Sequence, residues 1–218
     1  MAQRSWLALV SVLLSASCVS VSGPSRLSLK SMAVSPPSLM IATKSQRTAF
    51  IVLDDAKAPR EMPILVGGKD RGGRLDDTQS FVERDLKRAF ENYFRNVQVV
   101  SPGTPLGNAP HVVIDVKLDR IEVIQTARRK SGVVTYHAGA ASLTWGLGVR
   151  PSESSEYLYS FAGESVGAPG EDPMFVFRSM FEAGITDMLK GYTDKKVHEK
   201  VLELRQSSPA LSAKPTGI

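Results

Sequence analysis

The chain has 218 residues, of which 42% are hydrophobic and 22% charged, and its formal net charge is +5. This length suits one domain with a sizeable core, and the composition excludes wholesale disorder and a multi-span membrane protein. The small excess of cations does not by itself indicate nucleic-acid binding. The single cysteine, Cys18, excludes an intramolecular disulfide and cysteine-rich zinc or iron–sulfur sites.

The first 17 residues have the pattern of a secretory signal peptide. A basic start that includes Arg4 precedes an apolar run over residues 6–14, and small residues follow at 15–17. The apolar run is too short for a membrane-spanning helix, which needs about 20 apolar residues. The sequence therefore predicts that residues 1–17 direct export and are then removed.

The position of Cys18 resembles the lipobox of bacterial lipoproteins. Residues 13–18 read Leu-Leu-Ser-Ala-Ser-Cys, with Ser15 where the family usually has leucine. The resemblance implies that Cys18 is the lipid-bearing residue, carrying palmitate, and that the mature chain begins there. The residue after the cysteine is Val19. An aspartate at this position resembles a signal for retention at the inner membrane, so valine favours the outer membrane. Cleavage after Ser22 is the alternative, and it would leave a secreted or periplasmic protein.

The exported part is predicted to be one domain between two flexible ends. Residues 18–45 are rich in serine and proline and are interpreted as the lipid attachment site and a tether, with a short edge strand at 27–29. Residues 206–218 have a similar composition and are predicted to be disordered. The folded domain is therefore expected over residues 46–205.

Hydrophobic periodicity predicts the elements of this domain in chain order. A helix is expected over residues 77–94 with Asp77 as its N-cap, another over 172–191 with Asp172 as N-cap, and a short one over 194–205. A bulge is expected near residues 119–120, where the alternation changes phase. Strands are expected over 48–53, 63–66, 97–100, 111–125, 133–149 and 157–161.

The order of these elements predicts an α+β two-layer sandwich. We expect a mostly antiparallel sheet of four to five strands, with two main helices packed on one face. The strand over 133–149 carries large side chains such as Leu143, Trp145 and Leu147 on one face and only small residues on the other. The small face is expected to let a helix approach closely.

No pattern in the chain indicates an enzyme, a metal site or a cofactor, so no catalytic residue is predicted. His111, His137 and His198 form no metal-ligand motif, and packing or solvent-facing roles are expected for them. Residues 163–167 spell GESVG, the pattern of a serine-hydrolase elbow, but no helix follows directly. Ser165 as a nucleophile is therefore the minor alternative.

Two basic clusters are candidate contacts for an anionic partner. One lies in and directly after the glycine-rich segment 67–73, expected to be a flexible turn, and the other in the predicted hairpin turn 127–132. Near a bilayer, each such cation favours anionic lipid by about 1 kcal/mol. Lipopolysaccharide, an acidic partner and plain solvated turns remain alternatives, while nucleic acid is not expected because no aromatic residues are interleaved. The residues are Lys69, Arg71, Arg74, Arg128, Arg129 and Lys130.

Over residues 46–205 the order of elements is similar to that of small bacterial envelope lipoproteins. It resembles YajG-like lipoproteins and the auxiliary lipoproteins of ABC-type transport systems, and more distantly LptE-like proteins. The resemblance implies a non-enzymatic module with a protein partner in the envelope, in transport or envelope assembly. A binding module for lipid or glycan, which uses a cleft beside Trp145 or the basic turns, is the alternative. The similar segments are residues 50–54, 97–100, 110–115 and 175–190.

Overall fold

The structure is a computed structural model that describes residues 26–32, 34–35, 43–130 and 133–204. The side chains at positions 31, 126–130 and 133–138 are not described. The predicted signal peptide, Cys18 and the tail 206–218 lie outside the described residues. No helix in the described part of the chain is both long and apolar enough to cross a membrane.

Within these described residues, one sheet of eight strands carries three helical regions and a 3-10 turn at Leu29–Ser31. The strands are β1 (Arg26–Ser28), β2 (Ser45–Val52), β3 (Glu61–Val66), β4 (Lys69–Asp76), β5 (Phe94–Val100), β6 (His111–Lys130), β7 (Val133–Pro151) and β8 (Tyr159–Val166). The helices are a π-helical stretch (Phe81–Leu86) that continues into α1 (Lys87–Phe90), then α2 (Pro173–Asp194) and α3 (Val197–Glu203).

The long strand β6 is the spine of the sheet. β7 pairs with it along one edge, and β8 pairs with β7. On the other edge, β2 pairs with the first half of β6, and β5 pairs with β2. β3 pairs with the second half of β6, β4 pairs with β3, and β1 pairs with β4. β6 is parallel to both β2 and β3.

The sheet is therefore larger than the four to five strands expected, and it is mixed rather than mostly antiparallel by pairing: four of its strand pairings are parallel. A parallel pair needs a crossover connection, which local alternation does not reveal. The α+β class itself is confirmed, with the helices covering one side of the sheet.

Most of the segment 67–73 is a strand rather than a flexible turn. Only Gly67 and Gly68 form the turn, both with positive φ, and β4 begins at Lys69. The charged and glycine-rich sequence of β4 has weak strand propensity. Its conformation comes from pairing with β3 on one side and β1 on the other.

Helix α2 packs on the large face of β7, which is opposite to our expectation. Gly184 lies over Leu143, where an added Cβ would be 3.2 Å from Leu143 Cδ2. Trp145 and Leu147 are likewise buried. Because burying a large apolar side chain is worth about 1.5–3 kcal/mol, the helix covers the face that offers more apolar area.

Two local predictions are confirmed. The pairing of β6 with β7 shifts register between Leu118 and Arg120, so the bulge lies where the alternation changes phase. The Asp172 carboxylate accepts a hydrogen bond from Met174 N, 3.0 Å away, and Pro173 begins α2. This helix continues beyond residue 191 to Asp194.

The first helical region differs from the prediction at both ends. Asp77 has φ of 58°, and its carboxylate accepts from the Ser28 hydroxyl at 2.6 Å instead of capping a helix. The helix ends at Phe90, and Phe94 already belongs to β5. Phe90 and Phe94 are both fully buried, so one apolar periodicity describes two different elements.

Part of the predicted tether is packed into the domain. β1 is the edge strand expected near residues 27–29, and it pairs in parallel with β4. After it, Leu29, Met32 and Val34 are 1%, 4% and 3% exposed and belong to the core. The described domain therefore begins at Arg26 rather than at residue 46.

Candidate functional site

The two predicted basic clusters lie at one end of the sheet, here called the hairpin end. β3 runs parallel to β6, with Val66 paired to Val123. The turn between β3 and β4 and the connection between β6 and β7 therefore point in the same direction. Two clusters that are far apart in sequence share one end of the molecule because of this parallel pairing.

Lys69 and Arg71 are exposed beside the turn between β3 and β4. Neither forms an ion pair within the described residues. The neighbouring Glu122 carboxylate accepts from Gly68 N at 2.8 Å and pairs with Arg120, so its charge is already engaged. A shallow cavity of about 470 Å³ lies here, lined by Val66, Gly67, Lys69, Arg71 and residues 122–125.

Arg74 differs from the other two cations of its cluster. Its Nη1 lies 2.9 Å from Asp70 Oδ1 and its Nε lies 3.4 Å from Glu61 Oε1. The hydrogen bond from Arg74 lowers the pKa of Asp70, and the same bond raises the pKa of Arg74. The charge of Arg74 is thus balanced on the sheet, and its contact with an anionic partner stays a prediction.

The second cluster lies on a two-stranded arm. Pairing of β6 with β3 ends at Val123. On the β7 side, the hydrogen bond nearest the arm that comes from another segment joins Gly170 N to Gly139 O at 2.8 Å. Residues 126–130 then pair only with β7, over about 17 Å at the usual strand rise. The predicted turn 127–132 is therefore mostly strand. The structure describes the backbone of this strand at Arg128, Arg129 and Lys130 but not their side chains.

Apolar residues are exposed at the same end, which sequence reasoning missed. Ile124 is 49%, Val166 54% and Phe175 38% exposed; the fourth large apolar residue exposed in the described chain, Tyr157, lies elsewhere. Val166 pairs with Ser142 of β7, which in turn pairs with Glu122 of β6. The Phe175 ring lies close to Gly170. The sequence signal for this exposure was Ile124. It directly follows the inward-facing Val123, and successive side chains of a strand point to opposite faces.

A second cavity, of about 320 Å³, lies where the parallel strands β2 and β5 end. Its polar centre is Asp115, whose carboxylate is 3.3 Å from Arg150 Nε, 3.7 Å from Lys57 Nζ and 3.0 Å from the Tyr157 hydroxyl that donates to it. Burial, and then Asp115, raise the pKa of Tyr157. The sequence did not indicate this cleft, because its residues come from four separate segments.

Ser165 lies inside β8 rather than on a strand-to-helix turn. It is 1% exposed, and its Oγ accepts from Trp145 Nε1 at 2.8 Å and donates to Asp187 Oδ2 at 2.6 Å. Trp145 is 3% exposed and packs edge-on against Phe161, so the described residues leave no open cleft beside Trp145, in contrast to the expectation. These contacts join β7, β8 and α2.

Replacing Ser165 with alanine is expected to lower the free energy of unfolding by about 1–3 kcal/mol. The change leaves the buried Trp145 Nε1–H without an acceptor, and an unsatisfied buried donor carries that cost. Urea unfolding followed by tryptophan fluorescence measures it. The matched control is Ser160→Ala, an exposed serine on the same strand. Equal unfolding midpoints for the two variants would contradict the structural role.

The histidines that the structure describes have packing roles. His111 is 8% exposed and stacks edge-on against Phe50 with ring centroids 5.1 Å apart. His198 contacts the rings of Tyr93 and Phe94, and its Nε2 is 2.7 Å from Thr43 O. Among the described residues, no group of three or more His, Cys, Asp and Glu side chains is placed to hold a metal ion.

Comparison with known proteins gives only distant similarities. No family model and no curated protein matches the chain. A DUF330-family protein from Xanthomonas campestris has a TM-score of 0.49 at 12% identity, over 77% of this chain and 94% of that one. A Helicobacter pylori homologue of neuraminyllactose-binding hemagglutinin has a TM-score of 0.44 at 8% identity, over 80% and 97%. A Caulobacter crescentus lipoprotein has a TM-score of 0.29 at 11% identity, over 68% and 93%.

Proposed function

We propose that this chain is a lipid-anchored module of a bacterial cell envelope that acts by binding other envelope components and not by catalysis. The observation that carries the proposal is the position of Cys18, the only cysteine, at the end of a signal-peptide pattern. The described domain starts at Arg26, so the chain between the proposed lipid and the domain is short. The outer membrane is the proposed location, because Val19 follows the cysteine.

The uncovered face of the sheet supports a binding role. Along β8, Ser160, Ala162 and Glu164 are exposed, whereas the alternate residue Phe161 faces α2, where its ring lies against Gly191. Across from them, β7 presents Gly146, whereas Gly148 is buried under the Tyr157 ring. Because no described helix covers Ser160, Ala162 and Glu164, this part of the sheet is available to a protein partner, and an auxiliary role in transport or envelope assembly fits such a surface.

Acylation of Cys18 is tested by metabolic labelling with palmitate. We expect the wild-type chain to incorporate the label, and the Cys18→Ser chain to incorporate none. Loss of the label is expected to be complete because no other residue in the chain has a thiol. An unlabelled wild-type chain whose N-terminus is Gly23 would replace the proposal with cleavage after Ser22.

The binding role is tested by crosslinking in cells. A photo-crosslinking amino acid at Ala162, on the uncovered face, is expected to capture an envelope protein. The same amino acid at Glu199, which is exposed on α3, serves as the matched control. Capture of the same proteins at both positions, or at neither, would count against the uncovered face as the contact surface.

A second candidate function rests on the cleft at the ends of β2 and β5. Lys57, Asp115 and Arg150 present both signs of charge to a cavity of a size that admits a small polar molecule such as a sugar. In open sheets, the carboxyl ends of parallel strands are a frequent ligand-binding position. Native mass spectrometry of protein taken from the envelope is the test, and a bound mass absent from the Arg150→Ala variant would favour this function.

Hydrolysis by Ser165 is not proposed. Its hydroxyl is buried and donates to Asp187, and the structure describes no histidine in contact with it. A fluorophosphonate probe is expected to leave the chain unlabelled, and labelling that depends on Ser165 would overturn this view.

A further inference from the structure

We propose that the hairpin end rests on the surface of an anionic phospholipid bilayer. This inference deepens the proposed function, since the lipid on Cys18 supplies the attachment and the hairpin end supplies the contact. Three features of the described chain carry it: the direction of β1, the charges of the two hairpins and the exposed apolar residues between them.

The direction of β1 determines where the preceding chain leaves the domain. β1 is parallel to β4, and β4 runs away from the hairpin end, so the N-terminal end of β1 points toward it. The chain from Cys18 to Arg26 spans at most about 29 Å when fully extended. A lipid on Cys18 therefore holds the bilayer near the end of the sheet toward which β1 points.

The reach of this short connection is compatible with contact at the hairpin end. Arg26 pairs with Arg74 of β4, which pairs with Pro63 of β3. The next residue of β3, Ile64, pairs with Ile121 of β6. From there β6 extends about 30 Å to Lys130, and a similar distance back to His111 at the opposite end. The connection, at most about 29 Å long, is about as long as the distance to Lys130, so it allows the hairpin end to lie at the membrane surface.

The charges at the hairpin end match an anionic surface. Lys69 and Arg71 are exposed and unpaired among the described residues, and the arm adds three cations at residues 128–130. Residues 126–138 contain no acidic side chain. The acidic residues Asp70 and Glu122 nearby are already paired with arginines. Glu171 and Asp172 are also at this end, and Asp172 caps α2.

The apolar residues at this end give the contact a second component. Ile124, Val166 and Phe175 are exposed around the cations, and Arg178 lies over the Phe175 ring, 5.8 Å from its centroid. Surfaces that combine cations with exposed apolar side chains bind the headgroup region of a bilayer. The arm itself is a two-stranded ribbon, which is only marginally stable in water until it packs against something.

The experiment measures binding of the exported Cys18→Ser chain to vesicles, so the lipid anchor contributes nothing to the result. We expect binding to vesicles of phosphatidylethanolamine with phosphatidylglycerol, weakening as salt is raised, and little binding to phosphatidylcholine alone. The variant Lys69→Gln, Arg71→Gln, Arg128→Gln is expected to bind about 100-fold more weakly. The control, with the same charge change at the opposite end, is Lys190→Gln, Lys195→Gln, Lys200→Gln, and it is expected to bind like the parent.

A fluorescent label locates the contact directly. An environment-sensitive dye on Ile124→Cys in the Cys18→Ser chain is expected to shift to the blue on anionic vesicles, whereas the dye on Glu199→Cys is not. Equal affinity of the two triple variants, or no binding to anionic vesicles, would overturn the inference and leave a protein partner for the hairpin end. Absence of palmitate on the wild-type chain would overturn the proposed anchor without affecting the vesicle result.

Discussion

Replacing Leu29 with alanine is expected to lower the free energy of unfolding by about 3 kcal/mol, within the usual range for a buried leucine. Leu29 is 1% exposed and belongs to the same core as Met32 and Val34. The corresponding fall in melting temperature is about 6–12 °C for a domain of this size. Urea unfolding of the exported Cys18→Ser chain, followed by circular dichroism, measures the change.

The control for Leu29 is its neighbour. Lys30 is exposed, so Lys30→Ala is expected to change the free energy of unfolding by no more than about 0.5 kcal/mol. If Leu29→Ala unfolds at the same urea concentration as Lys30→Ala, the segment after β1 is a tether, as its composition suggests. The result bears on function, because a packed segment shortens the connection to Cys18 and restricts how far the domain can move from a membrane.

Replacing Gly167 with alanine is expected to cost about 3 kcal/mol, for a steric reason. Gly167 follows β8, where its N–H donates to Ala141 O at 2.9 Å. An added Cβ would lie 2.5 Å from Met180 N and 2.6 Å from Ser179 Oγ. Because Met180 N is backbone, relief requires movement of α2 itself, and such overpacking costs about 1–3 kcal/mol or more.

Gly146 provides the matched comparison for Gly167. It lies in β7 on the uncovered face, and an added Cβ would meet Lys117 Cβ at 3.4 Å and no backbone atom closer than 3.8 Å. Gly146→Ala is therefore expected to leave the urea midpoint nearly unchanged. Similar midpoints for the two alanine variants would show that α2 does not pack as closely on the end of β8 as the structure has it.

Local features of the fold could be predicted because their causes are local. The N-cap at Asp172 and the proline after it act within one helical turn. The bulge near residues 119–120 is visible as a change of phase along a single strand. Strand β4 could not be predicted, since its sequence has neither alternation nor apolar residues before Leu75 and its partners lie on either side of it in the sheet.

The candidate site was predictable only in parts. The cations Lys69, Arg71 and those at residues 128–130 are visible as two runs of basic residues. That Glu61 approaches Arg74 follows from strand pairing, which brings residues of β3 and β4 side by side, whereas Asp70 contacts Arg74 within β4 itself. The cleft around Asp115 was missed because a cavity is formed by distant segments and has no motif.

By itself, the sequence determined the features that depend on neighbouring residues: the signal-peptide pattern ending at Cys18, the α+β class and the helix that begins after Asp172. The tertiary structure alone decided which face of β7 the helix covers, that Leu29 is core, and that two separate hairpins share one end. The physical reason is that burial and parallel pairing join residues far apart in the chain, and neither has a signature in the local spacing of side chains.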